Sequence, residues 1–484
     1  MSNWHYASAI EMARAVRQRQ VSGVELLDLH LERVHQHNEM LNAIVVLDVE
    51  RARARARQAD AAIARGDALG PLHGVPMTVK ESFDVAGLPT TWGLPELCDN
   101  VASSNATAVD ALQNAGAIIF GKTNVPAYLS DWQSFNAIYG CSNNPWDLAR
   151  TPGGSSGGAA ASLAAGMSAL EIGSDIGASI RCPAHFCGVY GHKPSFGIVP
   201  QRGHWIPGVH APLDMLVCGP LARNAEDLAL AFEVVAGPEP IDRTAWTLRL
   251  PSARKTELKD FRIAVKLDDP NCAVDREVTD CLQVVVDALA SVGAKVNDRA
   301  HPRIDTVRAH ELYTLLLRGA SGGMFTDETY AQAFARAGQL RANDQSASAN
   351  QLRGIVQSHR SWFKAHEQRQ ALRAAWADFF QDYDVLLCPV ASMTAFPHDH
   401  RERPQRTLVV NGQVEEFNLH VPGFWAGIAS LPYLPATSAP AGRTPGGLPV
   451  GIQIVGPYLE DRTTLEFSRL LAEVTDGFVP PPGY

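Results

Sequence analysis

Cysteine, basic charge and strongly apolar runs are all scarce in this 484-residue sequence, and each scarcity excludes a class of protein. The eight cysteines include no Cys-x-x-Cys pair, so we expect a reducing compartment rather than a disulfide framework. Acidic residues outnumber basic ones by 51 to 42, a net charge of −9 that argues against nucleic-acid binding. The uncharged stretch 151–170 is mostly Gly, Ser and Ala, too weakly apolar for a membrane helix. The N-terminus lacks the apolar core of a signal peptide, which favours a cytoplasmic protein.

The remaining composition is that of a globular chain, with 46% hydrophobic and 19% charged residues. Short apolar runs alternate with helix-like stretches, and Gly, Pro, Asn and Ser separate them. This alternation predicts an α/β fold with a mixed central β-sheet flanked by helices on both faces. We expect one domain over 1–484, with N-terminal helices in 1–70, a catalytic core in 71–240, a helical cap or insert in 241–380, and closing strands and a helix in 381–484.

A Gly- and Ser-rich loop at 151–158 is the first candidate functional feature. No Gly-Lys-Ser/Thr sequence follows it, so it is not a phosphate-binding P-loop. It matches Gly-x-Ser-x-Gly at Ser155 and again at Ser156, but a nucleophile elbow needs a preceding strand, and the residues before this loop are turn formers. A flexible structural loop is the competing interpretation.

A lysine and a second Gly/Ser loop favour catalysis over a purely structural role. Lys80 ends an apolar, strand-like run, and residues 173–181 (GSDIGASIR) form the second loop. A serine hydroxyl is a weak nucleophile until a base removes its proton, and a buried lysine can act as that base when its pKa is lowered. Glycines let backbone N–H groups approach a substrate oxygen closely.

With these features in place, the sequence resembles the amidase signature family over nearly its whole length, least clearly between about 243 and 382. The matching segments are GVPMTVKES (74–82), GKTN (121–124), NNPWDLARTPGGSSGG (143–158), GSDIGASIRCPA (173–184), CGVYGHKP (187–194), LPATSAPAG (434–442) and GLPVGIQIVG (447–456). The resemblance implies that Ser179 is the acyl-enzyme nucleophile, Ser155 a bridging serine after a cis peptide bond, and Lys80 the base. It further implies an oxyanion hole formed by the backbone of residues 176–179, and no metal or organic cofactor.

The residues around this triad have assigned roles as well. The oxyanion hole comprises Ile176, Gly177 and Ala178, together with the backbone of Ser179. We interpret Asp175 and Arg181 as a structural ion pair, with recognition of a substrate carboxylate by Arg181 as the alternative. Ser156 is expected to support the relay through a hydrogen bond.

Ala178 departs from the family pattern, which usually has glycine before the nucleophile. Because an L-residue pays about 1–2 kcal/mol at positive φ, we predict that Ala178 has negative φ. Its N–H should then face the pocket and its Cβ should pack away from it.

The substrate pocket is less well defined by the sequence. The candidates are aromatic, aliphatic and acidic residues on two segments, Tyr128, Leu129, Asp131, Trp132, Phe424 and Trp425. They would accommodate an aryl or alkyl amide, although both clusters could instead belong to the core. The segment His398-Asp399-His400 has the spacing of a metal-binding pair, but we interpret it as a solvated loop and expect no metal.

These observations predict hydrolysis of a small-molecule carboxamide. The alternatives are an ester or carbamate hydrolase with the same triad, a glutamine-dependent amidotransferase subunit that acts in transfer-RNA charging, and an inactive binding protein. Ile176 stands where that subunit typically has threonine, which disfavours it. The resemblance leaves a homodimer open.

Overall fold

The computed structural model describes residues 4–417 and 420–484. Fourteen α-helices are present in these residues: α1 Ala9–Arg17, α2 Gly23–Leu41, α3 Val49–Arg65, α4 Thr107–Asn114, α5 Gly157–Ala164, α6 Arg181–Cys187, α7 Ala225–Val235, α8 Arg276–Ser291, α9 Thr306–Gly322, α10 Asp327–Ala337, α11 Ala347–Ile355, α12 His359–Asp382, α13 His420–Ser430 and α14 Asp461–Leu471. The strands are β1 Ile44–Leu47, β2 Pro76–Lys80, β3 Ile118–Thr123, β4 Phe135–Asn136, β5 Gly140–Cys141, β6 Glu171–Asp175, β7 Tyr190–Lys193, β8 Val217–Ala222, β9 Arg262–Val265, β10 Lys295–Asn297, β11 Val385–Pro389, β12 Thr407–Val410, β13 Gln413–Glu416, β14 Ala436–Arg443 and β15 Pro449–Val455.

Local sequence signals account for the first two helices. Ser8 and Glu11 form a complete capping box before α1, and Ser22 and Glu25 form another before α2. In each box the serine hydroxyl accepts from the glutamate N–H, and the glutamate carboxylate accepts from the serine N–H, so two donors of the first turn are satisfied. Both helix starts are therefore determined by residues that are neighbours in the sequence.

The centre of the molecule is an eight-stranded mixed sheet in the order β10-β9-β11-β15-β14-β7-β8-β6. Strand β9 pairs in parallel with β10 and β11, and the other pairings are antiparallel. A smaller sheet, β1-β3-β2, places β2 beside β6. Helices flank the central sheet, which confirms the predicted α/β class.

Part of the segment predicted as a helical cap, 241–380, belongs to the central sheet instead. Its residues 262–297 contain β9, α8 and β10, and the two strands form one end of the sheet. The reason is that Ile263, Ala264 and Val265 are buried beside β11 in the main core. The four helices α9 to α12, within 306–382, match the predicted helical segment.

Two short buried helices, α5 and α6, begin at the C-terminal ends of the two Gly/Ser loops. Every residue of α5 is buried, and the helix consists almost entirely of Gly, Ala and Ser. A Cβ on Gly158 would lie 2.4 Å from Asn124 N and 2.6 Å from Ala43 O, so only glycine fits there. This close packing fixes the first loop against the small sheet. Within the described residues, no helix combines the length and apolarity that crossing a membrane requires.

Candidate active site

Three elements bring the predicted triad together. Lys80 is the last residue of β2, Ser155 lies in the loop before α5, and Ser179 lies in the turn between β6 and α6. All three side chains are in the interior, and Ser179 is the most accessible at 6% exposure. The packing of the small sheet beside β6 thus assembles residues that are far apart in the sequence.

Lys80 contacts two serine hydroxyls. Its Nζ donates to Ser155 Oγ at 2.7 Å and to Ser174 Oγ at 2.9 Å. The peptide bond between Gly154 and Ser155 is cis, as the family resemblance implies. Sequence reasoning misses Ser174, although it lies in the same loop motif as Ser179. Ser174 orients the lysine amine toward Ser155.

Burial gives Lys80 the pKa of a base that works near neutrality. Desolvation lowers the pKa of Lys80 from 10.5 to about 7, and the negative charge of Asp175 opposes this shift only in part. A neutral amine can accept the proton of Ser155 across the same 2.7 Å contact.

Ser156 connects the two catalytic loops. Its N–H donates to the carbonyl of Ser179 at 3.1 Å, and its hydroxyl donates to the carbonyl of Ser174 at 3.4 Å. Among the described side chains, no hydrogen bond joins Ser155 Oγ to Ser179 Oγ. Catalytic hydrogen bonds often tighten only when substrate is bound, so the second link of the relay is compatible with this geometry.

The ion pair predicted between Asp175 and Arg181 is present and fully buried. Burial alone would raise the pKa of Asp175, but Arg181 and the surrounding donors hold that pKa below its usual value. Arg181 also donates to the Gln453 side chain at 2.6 Å and to Ser430 Oγ at 2.9 Å. Its guanidinium is thus fully engaged within the protein, which favours the structural role over carboxylate recognition.

The prediction of a negative φ at Ala178 is wrong, because its φ is +69°. Its N–H does not face the pocket either, since it donates to Asp175 Oδ1 at 3.0 Å. The carbonyl of Ala178 accepts from Cys182 N–H at 2.7 Å, at the start of α6. These two contacts hold the residue in the left-handed region, and its methyl group packs in an apolar cluster with Trp132 and Phe186.

The expected oxyanion hole changes accordingly. Tyr313 Oη donates to the carbonyl of Ile176 at 3.1 Å, and Trp132 Nε1 donates to the carbonyl of Gly177 at 2.8 Å. In a trans peptide the carbonyl and the following N–H point in opposite directions. These two bonds therefore fix the directions of the N–H groups of Gly177 and Ala178. The N–H of Ala178 is thereby used by Asp175. Ile176, Gly177 and Ser179 remain the candidate donors.

Replacing Ala178 with glycine is expected to be tolerated. Glycine removes the cost of a Cβ at φ +69°, about 1–2 kcal/mol, but it also loses a buried methyl group worth about 0.8 kcal/mol and adds chain entropy of about 0.5–1 kcal/mol. We expect Ala178→Gly to leave the free energy of unfolding unchanged or to raise it by less than about 1 kcal/mol in urea denaturation, with activity retained. Ala160→Gly, inside helix α5, is the matched control and should lower the free energy of unfolding by about 1 kcal/mol. Destabilisation of both variants would contradict the expectation.

The predicted pocket residues separate into two groups. Trp132 lies at the site through its bond to Gly177, and Leu129 lies half-buried on the same segment. Tyr128 is exposed, with its hydroxyl bonded to Glu96, so it does not line a closed pocket.

Three further candidates have structural partners instead. Asp131 forms an ion pair with Arg406 at 2.5 Å. Phe424 and Trp425 belong to the main core, and Trp425 is fully buried. The core interpretation therefore holds for these two residues, because α13 packs them inward. Tyr313, from helix α9, is a residue at the site that the sequence did not indicate.

Comparison with known proteins identifies the family of this chain. The family model described as Amidase matches residues 25–465. An indoleacetamide hydrolase of Bradyrhizobium diazoefficiens is 33% identical over 95% of this chain and 84% of its own length. A glutamyl-tRNA(Gln) amidotransferase subunit from Acidothermus cellulolyticus is 31% identical over 95% of this chain and 93% of its own. The crystal structure of a bacterial aryl acylamidase has a TM-score of 0.81 and 25% identity, covering 98% of this chain and 97% of its own. The chain therefore belongs to the amidase family and is an enzyme that hydrolyses carboxamides at carbon–nitrogen bonds other than peptide bonds.

Proposed function

We propose that the enzyme cleaves a small aryl or alkyl carboxamide through an acyl-enzyme on Ser179. The observation that carries this proposal is the buried amine of Lys80, 2.7 Å from Ser155 Oγ and with a pKa lowered to about 7. A base of this pKa suits proton transfer in an acyl-transfer reaction, because it contacts the hydroxyl of Ser155 and the hydroxyl of Ser179 lies on the neighbouring loop.

The reaction follows from these positions. Neutral Lys80 takes the proton of Ser155, Ser155 takes the proton of Ser179, and Ser179 Oγ attacks the amide carbon. The developing oxyanion accepts from N–H groups of the nucleophile loop. The proton returns along the relay to the leaving nitrogen, and ammonia or an amine departs. Water then cleaves the ester bond to Ser179 and releases the carboxylate, in a reaction that needs no metal or organic cofactor.

The surroundings of the nucleophile loop favour a partly apolar substrate. Trp132, Phe186, Met393 and Phe396 form one buried cluster around Ala178. Two relatives are named for the amides of aromatic compounds that they hydrolyse, an indoleacetamide hydrolase and an aryl acylamidase. An aromatic ring buried against such a cluster would contribute binding energy that acetamide lacks.

A hydrolysis screen tests this substrate class. We expect kcat/KM for phenylacetamide, indole-3-acetamide or acetanilide to exceed that for acetamide by on the order of 10²-fold. Ammonia or aniline release is measured, with phenylacetate methyl ester and a phenyl carbamate in parallel. A higher kcat/KM for the ester or for the carbamate than for phenylacetamide would favour that compound class as the substrate. Equal rates for acetamide and the aryl amides would contradict the proposed preference for an apolar substrate.

The amidotransferase alternative has a separate test, which the 31% identity to the Acidothermus protein motivates. The purified chain, without any companion protein, is assayed for release of ammonia from glutamine and from phenylacetamide. Turnover of phenylacetamide but not of glutamine supports the free-standing amidase. Glutamine hydrolysis that depends on added companion proteins would support the amidotransferase.

We further propose that the enzyme acts in the cytoplasm on a free small molecule, without nucleic acid or membrane as a partner. All eight cysteines are free, which suits a reducing compartment. The whole chain is proposed to be one domain, since strands from both halves interleave in the central sheet. A homodimer stays a prediction, which a measurement of the molecular mass in solution would test.

A further inference from the structure

A cysteine and two histidines from distant parts of the chain meet at one point. Cys141 ends strand β5, and His398 and His400 lie on the segment that follows β11. Cys141 Sγ is 3.5 Å from His398 Nδ1 and 3.5 Å from His400 Nε2. The three ligand atoms all lie within 4.8 Å of one another. The histidine segment is therefore not simply a solvated loop, as its sequence suggests, because a half-buried thiol faces both rings.

The two distances from sulfur to nitrogen agree with a tetrahedral zinc ion. Bonds of about 2.3 Å to sulfur and about 2.0–2.1 Å to nitrogen at tetrahedral angles place sulfur and nitrogen about 3.5 Å apart. We propose that Cys141, His398 and His400 bind Zn²⁺, with a fourth position open to water. His400 is exposed to solvent, and the carboxylate of Asp399 is held by Arg401, so the fourth ligand comes from solvent.

The ligands are held in place by contacts that do not need the ion. Gln133 is fully buried, and its side chain forms two hydrogen bonds of 2.8 Å to the backbone N–H and carbonyl of Asp399, between the two histidines. The N–H of His398 donates to Ala149 O at 3.1 Å. Phe135 stacks on the His400 ring with centroids 4.1 Å apart. Such fixed positions reduce the cost of ordering the ligands on metal binding.

The site is linked to a support of the nucleophile loop through two neighbouring residues. Gln133, which anchors the histidine segment, follows Trp132, which donates to the carbonyl of Gly177. A bound ion would join the 398–400 segment to the hairpin of β4 and β5, next to this support. Zn²⁺ should therefore stabilise the folded enzyme without taking part in the acyl transfer.

Cobalt and zinc titrations test the proposal on the full chain. The enzyme is stripped with a chelator and titrated with Co²⁺ alone, which reports thiolate ligation and tetrahedral geometry by absorption. We expect one equivalent to bind, with a sulfur-to-cobalt charge-transfer band that one equivalent of Zn²⁺ abolishes. Zn²⁺ should also raise the unfolding temperature of the stripped protein. Cys141→Ser should remove the charge-transfer band, and His400→Ala should weaken Co²⁺ binding at least about tenfold.

Cys98→Ser is the matched control, because Cys98 is an exposed free cysteine outside the cluster. It should keep both the band and the temperature shift. The unfolding temperature of each stripped variant, compared with that of the stripped wild type, checks that the fold is retained. Absence of a one-to-one Co²⁺ or Zn²⁺ complex in the wild type would overturn the proposal and leave a hydrogen-bonded Cys–His cluster. So would unchanged Co²⁺ spectra in Cys141→Ser. Because these readouts do not use amide hydrolysis, they are independent of the proposed substrate.

Discussion

Ser179→Ala is expected to lower kcat/KM for amide hydrolysis by on the order of 10⁴-fold or more, with the fold retained. The effect is this large because the acyl-enzyme cannot form without Ser179 Oγ. The hydroxyl of Ser155 is hydrogen-bonded to Lys80, and that of Ser156 to the Ser174 carbonyl, so neither serine replaces Ser179 as the nucleophile. A fluorophosphonate probe followed by peptide mass spectrometry should label Ser179 in the wild type and leave the variant unlabelled.

Ser162→Ala provides the control for this experiment. Ser162 is a buried serine inside α5 whose hydroxyl donates to Ala159 O within the same helix. This variant should retain activity and probe labelling at Ser179. Label on Ser155 in the wild type would contradict the assignment of Ser179 and would favour a nucleophile elbow in the first loop.

Lys80→Met is expected to lose most activity and, with it, the acid limb of the pH–rate profile. Only the neutral amine of Lys80 can accept a proton, and its pKa is lowered to about 7 by burial. The wild-type rate should therefore rise about tenfold per pH unit below pH 7 and level off above it. The measurement is kcat/KM from pH 5 to 9 with chemistry shown to be rate-limiting. A flat profile across this range would contradict a lysine base.

The lowered pKa of Lys80 changes the free energy of unfolding with pH in the direction opposite to that of a salt-bridged lysine, whose pKa is raised. The pKa of Lys80 in the folded state, about 7, lies below the ordinary 10.5, so the unfolded chain binds more protons between these values. This group therefore increases the free energy of unfolding as pH rises from about 7 to 10.5. The stability of Lys80→Met relative to wild type should increase as pH falls, as measured by urea denaturation.

Lys193→Met is the control that separates the effect of removing a buried lysine from the effect of removing the catalytic base. Lys193 is also fully buried, and desolvation lowers its pKa to about 7, but its Nζ donates to the carbonyls of Leu434 and Pro194. Whatever activity this variant keeps should show the wild-type acid limb. Loss of the acid limb in Lys193→Met would contradict the assignment of this limb to the titration of Lys80.

The features that the sequence predicts correctly depend on neighbours in the chain or on fixed motif spacing. Ser8 with Glu11 and Ser22 with Glu25 form their capping boxes within a single helical turn, so no tertiary information is needed. Lys80 and Ser155 are in contact as the resemblance to the amidase signature family implies, because both lie in segments that match its motifs at the family's spacing.

The features that the sequence does not reveal depend on contacts between distant segments. Tyr313 reaches the Ile176 carbonyl from a helix 137 positions away, and no local pattern marks it. Cys141 and His398 are separated by 257 positions. The expectation of negative φ at Ala178 fails because it considers intrinsic preference alone. Two hydrogen bonds, one to Asp175 and one from Cys182, outweigh that preference.

The hydrogen bonds of Arg181 have a consequence for the order of events during protein synthesis. Its guanidinium reaches the Ala426 carbonyl 245 positions later and the Gln453 side chain 272 positions later. Ser179 itself is translated in the first half of the chain. While a nascent chain still lacks these partners, the guanidinium of Arg181 has only its contacts to Asp175 in the same turn. The catalytic loop is thus translated early but gains its last supporting contacts late, and we expect that an unfinished chain on the ribosome does not hydrolyse amides.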